Sequence, residues 1–110
     1  MLNYYKKKGV CTTIKEAKQS GSRTSVKCGN STYSLSGTLI GYTGKAVFIQ
    51  NGRNLHIFVE KNGVVVASGH NIALSGNEEV RMYGNLCGIK RNGWIHLYDE
   101  TGKPAGSRQA

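Results

Sequence analysis

Two stretches of the chain, FIQNGRNLHIFVEKNGVVVAS (48–68) and IKRNGWIHLYDETGKPAGS (89–107), follow one order: strand, tight turn, strand, tight turn, strand. Placing GYTGKAVFIQNG (41–52) on MYGNLCGIKRNG (82–93) brings Tyr42 onto Tyr83 and the two Asn-Gly pairs together at a constant offset of 41. After the turn the offset drops to 39, and LHIFVEKNG (55–63) lies over WIHLYDETG (94–102). Self-similarity at this spacing is the mark of a repeated supersecondary unit. Strands that return at a two-residue turn pair as antiparallel neighbours, so each unit reads as a four-strand meander, over residues 38–71 and 79–110.

The turn residues carry this reading. Asn51-Gly52, Asn62-Gly63, Asn92-Gly93 and Thr101-Gly102 match hairpin turns whose central residues take positive φ. Between them run short segments rich in β-branched and aromatic residues: TSVKC, YSLSGTLIGY, KAVFIQ, NLHIFVE, VVVAS, EVRMYG, LCGIK, WIHLYD and PAGS. Fifteen glycines against one proline fit a turn-rich β chain. The expected fold is all-β and mainly antiparallel, two meanders packed as a sandwich or barrel in a single domain over 1–110. In segments 55–60 and 94–99 both faces are largely apolar, which predicts central strands or a face that meets another subunit. Trp94, the one tryptophan, is expected to be buried there.

Ahead of the repeats the pattern changes. TTIKEAKQS (12–20) offers Thr13 followed three residues later by Glu16, a capping-box pattern that predicts a short helix. Residues 1–30 form a basic arm: Lys6, Lys7, Lys8, Lys15, Lys18, Arg23 and Lys27 stand against Glu16 alone, and so supply most of the net charge of +9. Clustered cations draw phosphate by counterion release, and Tyr4 and Tyr5 beside YYKKK offer rings for stacking on exposed bases. The residues expected to contact nucleic acid are therefore Tyr4, Tyr5, Lys6, Lys7, Lys8, Lys15, Lys18, Arg23 and Lys27. A partner-binding or homo-oligomeric adaptor, docking through a sheet edge or the Trp94/Tyr98 face, is the second expectation.

The segment IHLYDETGK in the second unit resembles the third strand and following turn of a β-propeller blade, with Tyr98-Asp99 where the family has Trp-Asp. The resemblance implies four-strand meanders. It implies no function, since the first unit has Val59-Glu60 at that place, neither unit opens with a clear Gly-His pair, and two units cannot close a propeller.

Chemistry is sparse. A small ribonuclease would need an acid, a base and a cation, for which His56, His96, Arg81 and Arg91 are the right residue types, but no spacing sets an acid and a base on one face. His56 and His96 fall out of phase in the alignment, and with His70 they show no ligand spacing, so no metal or other cofactor is expected. Cys87, in the apolar run NLCGI, reads as inert packing, and Glu78-Glu79 as a solvated turn. Cys11, Cys28 and Cys87 are odd in number and widely spaced, and MLNYYKKKGVC lacks the apolar run of a leader; a reducing, cytoplasmic setting is expected. The sequon Asn30-Ser31-Thr32 then carries no weight. No stretch has the length of a membrane span.

Overall fold

The computed structural model describes residues 13–110, which form eleven strands in three open antiparallel sheets. The first sheet is β1 (Ile14–Ser20), β2 (Arg23–Cys28) and β3 (Ser31–Ser36). The second is β4 (Thr38–Tyr42), β5 (Ala46–Asn51), β6 (Asn54–Lys61) and β7 (Val64–Ala73), and the third is β8 (Glu79–Tyr83), β9 (Leu86–Arg91), β10 (Trp94–Tyr98) and β11 (Pro104–Gln109). Each is a meander in chain order. The second and third sheets are the two repeat units.

The expected helix is a strand. Ile14 and Ala17 both point inward although they are three apart, a spacing that mimics a helical stripe. A bulge at Lys15 makes it possible: Ile14 pairs with Cys28 and Glu16 with Lys27, so one extra residue resets the alternation before Ala17. Ile14–Ser20 is thus the first strand of a third meander, punctuated by glycines at positive φ, Gly21, Gly29 and Gly37.

Two cores separate the three layers. Ile14, Ala17, Val26 and Cys28 of the first sheet pack with Val47, Ile49 and Val65 of the second. Ala46, Phe48, Leu55 and Ile57, on the other face of that second sheet, pack with Cys87 and Ile89 of the third, and Leu74 joins them. Strand β5 is therefore buried on both faces, with Ala46, Val47, Phe48 and Ile49 all at 0% exposure. Truncating a residue such as Phe48 to alanine is expected to cost about 3–5 kcal/mol. The resulting molecule is elongated, 54 × 30 × 21 Å.

The repeats do not stack as propeller blades do. In a propeller, equivalent residues of successive blades face the same way. In this chain Ala46 and Phe48 share one core with Cys87 and Ile89, their own equivalents at offset 41, so the two meanders bury equivalent positions in the same cluster. Gly41 lies against its own counterpart: a Cβ placed on it would overlap Cγ of Met82, at the same offset. Glycine leaves the space, and methionine fills it.

Two expectations about the strands change. The first Asn-Gly turn is shifted by one: Asn51 pairs with Asn54, so Gly52-Arg53 are the central residues and only Gly52 has positive φ, as in a type II′ turn. At Asn62-Gly63 and Asn92-Gly93 both residues have positive φ, the type I′ pattern. Trp94 is 46% exposed rather than buried, because it is the first residue after a turn, at the rim of the face that Tyr98 buries farther along the strand.

Candidate functional site

The expected contact residues that fall among the described ones gather on one surface. Alternation along the first sheet turns Thr24, Val26 and Cys28 inward and Arg23, Ser25 and Lys27 outward. Register then builds three rows across the outer face: Ser20–Arg23–Ser36, Lys18–Ser25–Ser34 and Glu16–Lys27–Thr32. Each row holds one cation beside hydroxyls, and rows lie about 6.8 Å apart along the strands. Lys15, the bulge residue, is exposed at the edge strand. Tyr4, Tyr5, Lys6, Lys7 and Lys8 lie outside the described residues.

Arg23 is held by its own sheet. Its Nε donates to Ser34 Oγ at 2.7 Å, one terminal nitrogen to Ser36 Oγ at 2.9 Å and the other to the Ser34 carbonyl at 3.1 Å. Lys27 lies 3.9 Å from Glu16, an exposed pair worth little in water. The sheet carrying these cations is itself anchored: Gln19 Oε1 accepts from the Leu39 amide, its Nε2 donates to Gly21 and Gly37 carbonyls, and the Ile14 amide donates to Gly44.

A cleft of about 490 Å³ lies where the β6–β7 hairpin meets the β10–β11 turn. That turn is built by Asp99, whose Oδ1 accepts from the Thr101 hydroxyl and from the Thr101 and Lys103 amides. These bonds, the Thr101 hydroxyl first, hold the Asp99 carboxyl below its ordinary value. Glu60, the equivalent of Asp99 in the first unit, likewise accepts from the amide of Gly63. The acidic residue of the Tyr-Asp-x-x-Gly segment thus organises a turn. Glu100 then ties the turn to the second sheet by accepting from the Thr43 hydroxyl, whose oxygen takes the Lys45 and Ala46 amides. On the facing side β7 bulges over Ser68–His70 opposite Ile57, and Gly102 sits against His70, where a Cβ would come within 2.6 Å of the His70 Cβ.

The ribonuclease set is dispersed. His56 cross-pairs with Ile49 and so lies on the first-sheet side of the second sheet, bonded to Asn71, whereas His96 cross-pairs with Ile89 on the inward face of the third, 3.3 Å from Ser107. Arg81 projects from the opposite face of the third sheet, paired with Glu79 at 3.7 Å. Arg91 is held by Glu78 at 2.8 Å. No acid and base meet among these four.

Glu78 corrects the solvated-turn reading. Its side chain is 2% exposed, and it accepts from the Ser75 and Gly76 amides and from Arg91. The Ser75 amide foremost, with Arg91 and Gly76, brings its carboxyl down to about 2 against the pull of burial. Cys28 is disulfide-bonded, where the sequence reading takes the cysteines as reduced. Cys87 is a buried free thiol pushed up to about 12 by burial. Among the described residues no group of three or more histidine, cysteine or acidic side chains could hold a metal ion, and no helix is long and apolar enough to cross a membrane.

The Trp94/Tyr98 face looks inward onto the second core, so Tyr98 is packed and only Trp94 emerges. Sequence reasoning missed the cleft entirely, because Lys45, Glu60, His70 and Glu100 come from four separate segments with no spacing in common. No family model matches the chain, and no curated protein or solved structure is significantly similar to it.

Proposed function

We propose that the protein is a non-enzymatic nucleic-acid-binding module whose contact surface is the outer face of the first sheet, extended by the basic and aromatic segment Tyr4–Lys8. One observation carries the reading: Lys18, Arg23 and Lys27 stand in three successive hydroxyl-flanked rows on one exposed face, with Glu16 the sole carboxylate of β1–β3. Cations supply the phosphate attraction, and serine and threonine hydroxyls donate to phosphate oxygens. The prior fixing of Arg23 lowers the cost of ordering it on binding.

The test is filter binding of a mixed-sequence oligonucleotide across a salt series. Wild type is expected to bind at low salt with a steep dependence. Changing Lys18, Arg23 and Lys27 together to glutamine is expected to lower the slope of log K against log salt by about 2–3. Lack of binding by the wild type at low salt would end this reading, and an unchanged slope in the variant would move the contact elsewhere.

A further inference from the structure

We infer that the cleft between the β6–β7 hairpin and the β10–β11 turn is a binding site for a small organic phosphate, separate from the outer face of the first sheet. The sign of the ligand follows from which groups are already committed. Glu60 is engaged through one oxygen with the Gly63 amide and through the other with Lys45 at 4.0 Å, and Glu100 takes the Thr43 hydroxyl. Lys61, Lys103 and the His70 ring line the same space and have no bonded or ionic partner among the described residues, while the Ser68 hydroxyl accepts from the His70 amide and keeps its proton to donate. Lys45, Lys61 and Lys103 outnumber Glu60 and Glu100 in the lining, so the cleft carries a net positive charge. An anion meets the two uncommitted ammonium groups, a hydroxyl and an imidazole.

The walls specify more than an ion. Val59, Val66 and Ala67 give the cleft an apolar side, and its 490 Å³ lies within the range of small-molecule sites and far exceeds one phosphate. A phosphate monoester with a compact, partly apolar body satisfies both sides. The construction is also held in place: the Glu100–Thr43 link and the contact of Gly102 with His70 fix the turn against the bulged segment Ser68–His70. Bulges of this kind re-aim side chains beside binding sites.

The experiment is an amide NMR titration of the intact protein with adenosine monophosphate and, separately, with inorganic phosphate. Adenosine monophosphate is expected to shift the amides of Ser68, Gly69, His70, Thr101 and Lys103, with affinity at least tenfold above that of inorganic phosphate. The Lys61→Gln/Lys103→Gln variant, altered only at exposed positions and checked for an unchanged spectrum elsewhere, is expected to bind about tenfold more weakly or less. Lys27→Gln, on the other face, is expected to leave these shifts intact. Absence of shifts at the cleft overturns the proposal, as does equal affinity for the two probes or for the double variant. Neither result bears on oligonucleotide binding by the first sheet.

Discussion

A carboxylate at 2% exposure is tolerable only when its acceptors are filled, and Glu78 meets that condition with two amides and a guanidinium. Its depressed pKa has a definite consequence for acid stability. The folded value of about 2 lies below the ordinary 4.5, so the contribution is fully present above pH 4.5 and is lost as the pH falls toward 2. Urea unfolding followed between pH 6 and 2 is therefore expected to show a decline in this window that Glu78→Gln flattens, with the variant already weaker at pH 6. Gly41 and Met82 make a second residue-scale case. Gly41→Ala is expected to cost about 1–3 kcal/mol through overpacking on Met82. The exchange variant Gly41→Met/Met82→Gly should be more stable than the sum of its singles by about 0.5–3 kcal/mol, as equilibrium unfolding of the four proteins of the cycle would measure.

At the scale of elements, the turns separate the sequence pattern from the register that forms. Gly52→Val and Gly93→Val are each expected to destabilise by about 1 kcal/mol or more, since a β-branched residue resists positive φ. Asn51→Val is expected to stay within about 0.5 kcal/mol, because Asn51 is the last residue of β5 and not a turn residue. Chemical denaturation of the three variants distinguishes the two registers. The meanders of 38–71 and 79–110 were legible because Asn-Gly and Thr-Gly pairs announce hairpins locally. The first sheet was not, because the bulge at Lys15 converts strand alternation into the three-residue spacing of Ile14 and Ala17, and because Thr13 and Glu16 match a capping box. A signal was present in the glycines at 21, 29 and 37, eight residues apart, which measure out hairpins and not a helix. Of the candidate site, the cations of the outer face were legible as a charge cluster, while their common orientation required β1 and β2 to be paired strands. The cleft was beyond reach, since residues as distant as Lys45 and Lys103 meet only through tertiary packing.

For the molecule as a whole, thiol chemistry reports on the integrity of the stack. Cys87 lies at 0% exposure in the core between the second and third sheets with its thiol pushed up to about 12, and Cys28 is bonded. Cys87 is expected to escape a disulfide reagent in the native protein and to react with it in denaturant without reductant. Reaction of the native protein at Cys87 would mean that the second core opens without global unfolding. The division into two cores also sets an order in time during synthesis. Every residue of the first cluster lies between Ile14 and Val65, whereas the second requires Cys87 and Ile89. On a ribosome adding roughly 5–20 residues per second, the first two sheets can close on each other while the third is still unmade, leaving Phe48, Leu55 and Ile57 uncovered for a few seconds. That interval is when the nascent chain is most exposed to chaperones and to its neighbours on the same message.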